Sequence, residues 1–115
     1  MTMRAALEDA RRLVERSESV DAWSRSAAFL ARQALEDCVR HVIERRWGKI
    51  MRPTFASQLI VLRELVKPKT AREIAWVWTA LSSATHAHGY ELPATGAELV
   101  RWIDAVEGLM AEIEG

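Results

Sequence analysis

The chain has 115 residues, half of them apolar and 28% charged, with 16 basic residues balancing 16 acidic ones. This fits one globular domain spanning 1–115, is too short for two of ordinary size, and is too apolar for a disordered chain. Zero net charge speaks against a protein that grips nucleic acid by bulk charge alone, and no stretch approaches the roughly 20 apolar residues that cross a bilayer.

The apolar residues recur at helical spacing from the start. Ala6, Leu7, Ala10, Leu13 and Val14 form one stripe, which predicts a first helix over about 3–16. Met1 to Leu13 carries charges throughout and no run of signal-peptide length, so a cytoplasmic location without membrane attachment is expected. Ser17-Glu18-Ser19 reads as a break, because serine competes for backbone hydrogen bonds.

The second helix is predicted from Val20 to Trp47. Val20, Trp23, Ala27, Leu30, Ala34, Cys38 and Val42 make its stripe, and Gly48 is its natural stop. The single cysteine, Cys38, allows no intrachain disulfide and reads as a small buried hydrophobe. Pro53 suits the first turn of a third helix carrying Phe55, Leu59 and Leu62, with Leu65 or Val66 continuing the face until Pro68 ends it.

Thr70-x-x-Glu73 has the form of a capping box and is expected to open a fourth helix with Ile74, Val77, Trp78 and Leu81 inward. That helix is expected to end between Ser83 and Gly89. Thr95-x-x-Glu98 is a second capping box, opening a fifth helix with Leu99, Trp102, Ile103, Val106, Leu109 and Ile113. No segment alternates like a strand. The fold class that follows is all-α, a compact bundle of four to five helices joined by short connections.

Chemistry concentrates in His86-Ala87-His88-Gly89-Tyr90-Glu91, which holds two of the three histidines and the only tyrosine. Histidine titrates near neutrality and is the commonest general acid or base. The alternative reading is that these residues only cap the fourth helix and tie down its loop. A metal is not expected, since residues two apart on a helix face different ways and no second ligand cluster exists. No glycine-rich phosphate loop, Cys-x-x-Cys pair or dinucleotide fingerprint is present, and no cofactor is expected.

Arg25, Arg32, Glu36 and Arg40 fall roughly on one line of the second helix, where Glu36 is in reach of Arg32 and Arg40. The line reads either as a solvated, salt-bridged face or as a basic stripe for phosphate. Arg45-Arg46-Trp47 with Lys49 and Arg52 interleaves cations and an aromatic, a pattern suited to RNA or phosphate; alternatively Trp47 is a lid on the core. Trp76 and Trp78 are two apart, so one points inward and the other outward, into an interface. Five tryptophans in so small a bundle suggest a homodimer.

The segment Ala27-Ala28-Phe29-Leu30-Ala31-Arg32-Gln33-Ala34-Leu35-Glu36 resembles the long-helix signature of the HEPN domains, the nucleotide-binding helical domains of higher eukaryotes and prokaryotes. The resemblance covers the order of elements from about Val20 to Val106. It implies a dimeric helical bundle linked to RNA or nucleotide handling in defence or toxin–antitoxin systems. In ribonuclease members an Arg shortly precedes the catalytic His, and no position from Trp78 to Ser83 is Arg. The resemblance then implies a degenerate or non-standard, metal-independent ribonuclease. His86 or His88 would move protons, Tyr90 would bind phosphate, and Arg32 of the second helix would replace the missing arginine. The alternative is a non-catalytic dimeric helical module that binds a protein partner.

Overall fold

A computed structural model describes residues 3–16, 21–49, 54–86 and 94–114. These form α1 (Met3–Arg16), α2 (Asp21–Trp47), α3 (Phe55–Leu62), α4 (Pro68–Thr85) and α5 (Gly96–Glu114), with no strand among them. The expected break at Ser17–Ser19, Pro53 and the stretch 87–93 lie outside the described residues. No helix among the described residues is long and apolar enough to cross a membrane.

The axis of the bundle is α2. Its 27 residues amount to about 40 Å at 1.5 Å per residue, which matches the 43 Å long dimension of the molecule. It packs against all four other helices. The reason lies in its side chains: Ala27, Ala28, Ala31 and Ala34 are fully buried, and alanine lets neighbouring backbones approach closely. Leu35, Cys38, Val39 and Ile43 continue the buried strip. Ala6, Leu7 and Ala10 of α1, Ile74, Val77 and Leu81 of α4, and Leu99, Ile103, Val106, Leu109 and Met110 of α5 complete the core around them. Trp23 departs from the predicted stripe. It is 47% exposed, because the N-terminal part of α2 carries its core contacts on Ala27 and Ala28 instead.

The helix ends follow backbone chemistry. Gly48 takes φ +87°, the left-handed conformation that ends many helices, and its N–H donates to the Glu44 carbonyl at 2.8 Å. Thr95 and Glu98 form the expected reciprocal capping box, with bonds of 3.0 and 3.1 Å. Thr70 does not cap α4. That helix starts earlier, with Pro68 in its first turn after Lys67 as the N-cap residue, since proline is pre-set for the first helical turn. Thr70 is thereby turned inward, buried, and donates to Glu112 of α5 at 2.5 Å. Helix α3 is also shorter than predicted. It stops at Leu62, and Leu65 and Val66 pack against the core from a turn.

At the far side α1 is tied to α5 by Arg11, which reaches Asp104 at 2.9 Å and Glu107 at 2.7 Å. Partial burial works against the Arg11 charge, but the hydrogen bonds it donates to the Asp104 and Glu107 carboxylates, with their charge, more than offset it and hold its pKa above the ordinary value. Such half-exposed pairs orient a helix more than they stabilise it.

The alanine strip gives a direct prediction. Replacing the fully buried Ala31 with Leu forces the helices apart and lowers unfolding free energy by about 1–3 kcal/mol, measured by urea denaturation followed by circular dichroism.

Candidate functional site

The site grows from the seam between α2 and α4. Phe55, at the start of α3, stacks on Trp78 of α4 with ring centroids 4.9 Å apart. This fixes the indole so that its Nε1–H donates to Glu36 Oε2 on α2 at 2.7 Å. The same carboxylate oxygen lies 3.6 Å from Arg32 Nε, one turn back. Arg32 in turn places Nη1 3.2 Å from His86 Nε2. A guanidinium can only donate, so in this hydrogen bond Nε2 would be the acceptor, the role of the tautomer that carries its ring proton on Nδ1. A relay therefore runs Phe55, Trp78, Glu36, Arg32, His86, from the edge of the core to the surface.

His86 holds its position through its backbone as well as its ring. It is the residue that caps α4, with φ −102° and ψ 15°, and its N–H donates to the Ser82 carbonyl at 3.1 Å. The carbonyl end of a helix carries partial negative charge, which draws the Arg32 cation toward it. The Arg32 guanidinium also lies 5.7 Å from the centre of the Phe29 ring, a cation–π contact on a ring that is itself 44% exposed. Only 18% of the Arg32 side chain is exposed. It is thus held on three sides, by a carboxylate, an aromatic face and an imidazole.

The other predicted residues separate into three groups. Arg25 is exposed two turns before Arg32, on the same side of α2. Arg40 does not reach Glu36; it pairs with Asp37 at 2.5 Å, because Glu36 is already engaged by Trp78 and Arg32. Arg45 and Arg46 stand exposed in the last turn of α2, about 20 Å along the helix from Arg32, with Arg46 over the Trp47 ring at 5.6 Å. Trp47 itself is 51% exposed and is no lid on the core. The structure does not bring this basic end to His86.

Of the two tryptophans, Trp78 is the inward one, committed to Phe55 and Glu36, while Trp76 is 57% exposed. His88, Tyr90 and Arg52 lie outside the described residues. The residues that flank 87–93 are both held to α2, His86 by Arg32 and Ala94 by Ser24 Oγ, which donates to its carbonyl at 3.1 Å. Among the described residues no group of three His, Cys, Asp or Glu assembles into a metal-binding cluster.

Sequence reasoning placed Glu36 beside Arg32 but missed Trp78 as its second partner and Phe55 as the support behind it. The only available signal was the polar handle of a tryptophan on an inward stripe, which must find an acceptor when buried. Compared with known proteins, the chain matches no family model, no curated protein and no solved structure.

If Trp78 and Glu36 are coupled as the geometry indicates, a double-mutant cycle of Trp78→Phe and Glu36→Gln returns an interaction of about 0.5–1.5 kcal/mol. The readout is urea unfolding. Additive single effects would show the two groups to be independent.

Proposed function

We propose that the α2–α4 seam centred on Arg32 and His86 is a phosphodiester site, and that the chain is a HEPN-like protein acting on RNA without a metal. The observation that carries this reading is the Arg32–His86 contact at 3.2 Å. It puts a cation and a proton acceptor side by side at the end of α4, although no arginine precedes the histidine in sequence.

The chemistry is as follows. An incoming phosphate accepts from Arg32 Nη1 in place of the ring, without displacing the guanidinium, which frees His86 Nε2. Nε2 takes the proton of the adjacent ribose 2′-hydroxyl. The 2′-oxygen bonds to phosphorus, the bond to the 5′-oxygen breaks, and the leaving oxygen takes a proton from water. Arg32 stabilises the charge that builds on the phosphoryl oxygens. Glu36 and Trp78 position Arg32 without touching substrate. His88 and Tyr90 belong to a stretch whose two flanks are anchored to α2, so they are the next candidates for proton transfer and phosphate binding. Association of two copies, the arrangement the HEPN-like reading implies, would bring two such seams together.

A second reading, a non-catalytic helical module that binds another protein, draws support from the exposed Trp76, Ile60 and Val61. The two readings separate on one assay. Purified protein is incubated with a single-stranded RNA in excess chelator, and products are resolved by electrophoresis. The catalytic reading expects cleavage that falls at least about a hundredfold in Arg32→Ala and in His86→Ala, with melting temperatures checked for each variant. No cleavage by the native protein, or cleavage that survives both substitutions, overturns it.

A further inference from the structure

A second feature lies on α3 and α4, toward the opposite end of α4 from His86. Leu59 and Arg63 on one side and Pro68, Ala71, Arg72 and Ala75 on the other line a groove of about 390 Å³. This falls within the range of roughly 300–1,000 Å³ of sites that receive ligand or peptide side chains. The small side chains of Ala71 and Ala75 leave the hollow. Its lining is mostly aliphatic, from Leu59, Pro68, Ala71 and Ala75, and the same two helices each expose a large apolar side chain, Ile60 at 65% and Trp76 at 57%.

The charges at the groove are of one sign. Arg63 and Arg72 are exposed, and neither pairs with a carboxylate among the described residues. Arg11, Arg12, Arg32 and Arg40 each have an acidic partner within the chain; Arg63 and Arg72, like the exposed Arg45, Arg46 and Arg101, do not among the described residues. The nearest acid along α4, Glu73, is directed to Lys69 at 4.0 Å.

We infer that this groove is a docking site for an acidic amphipathic segment of a partner protein. Its apolar side chains would fill the hollow between α3 and α4, and its carboxylates would meet Arg63 and Arg72, whose forked guanidinium groups suit bidentate carboxylate contacts. Arginine at the edge of an apolar hollow is among the residue types that dominate binding at protein interfaces. A second copy of the chain fits less well, because a twofold interface centred here sets the same unpaired arginines against themselves. A nucleic-acid strand fits less well too, because the lining is mainly aliphatic and offers phosphates only the two edge cations. The inference is independent of whether the Arg32–His86 seam cleaves RNA.

The test uses the full chain and three fluorescein-labelled probes. One is a helical peptide with leucines at i, i+3 and i+4 flanked by glutamates, one is its lysine-for-glutamate counterpart, and one is an oligouridine. Binding is read by fluorescence anisotropy. The acidic peptide is expected to bind, and the lysine peptide to bind at least about tenfold more weakly. The Arg63→Glu, Arg72→Glu double variant changes only exposed side chains and should melt like the native protein. It is expected to reverse the preference between the two peptides. Absence of binding by the acidic peptide, an unchanged preference in the double variant, or its displacement by oligouridine overturns the inference. So does sedimentation showing that Ala75→Glu, in the groove lining, converts a dimer of this chain to monomers, since a second copy then occupies the groove.

Discussion

The close packing allowed by the alanine face of α2 is the constraint on which the rest of the molecule depends. Ala27, Ala28, Ala31 and Ala34 are all completely buried, so the helices around α2 can approach it more closely than leucine would allow. Helix α4 packs along α2 at a separation that short polar bridges span. The Trp78–Glu36 bond at 2.7 Å and the Arg32–His86 contact at 3.2 Å both need that spacing. A bulkier face would keep the fold class, because the apolar periodicity is strong, but it would pull the polar partners apart.

The seam is an example of a polar network anchored on packing. Glu36 accepts from one aromatic donor and faces one cation at the same carboxylate oxygen, which joins the two through a single atom. Arg32 consequently has little freedom left, and its reach toward the end of α4 is set by Phe55 and Trp78, two residues with no part in any chemistry of their own. Preorganisation of this kind lets a cation act without first being ordered, which is the main requirement for electrostatic stabilisation of a developing charge.

The arginines divide by environment. Arg11 ties α1 to α5, Arg12 pairs with Asp9, Arg40 with Asp37, and Arg32 with Glu36. Arg63 and Arg72 have no acidic partner among the described residues and frame an apolar hollow. Zero net charge thus conceals local differences: Arg11, Arg12, Arg32 and Arg40 are neutralised inside the chain, while Arg63 and Arg72, like Arg45, Arg46 and Arg101, have no acidic partner among the described residues.

Helix content, the core stripes of α1, α4 and α5, the Thr95–Glu98 capping box and the Gly48 stop were all legible in the sequence, because each depends on neighbours within about four positions. What failed was also local in form. Thr70-x-x-Glu73 has the pattern of a cap, but Pro68 starts the helix earlier and burial against α5 takes the hydroxyl for Glu112. Trp23 kept the right period and still faces solvent, since period says which residues share a face and not where along a helix its neighbours stop. His86 stood out as a residue type, and the sequence could suggest Arg32 as its partner only through a resemblance. Their separation of 54 positions is bridged by the packing of α4 on α2, and the same packing decides that Trp78, not Trp76, turns inward. The sequence by itself determined a helical bundle and a short list of reactive side chains. Only the tertiary structure decided which of them meet, because that depends on interhelical distance and rotation, and these are properties of the whole core.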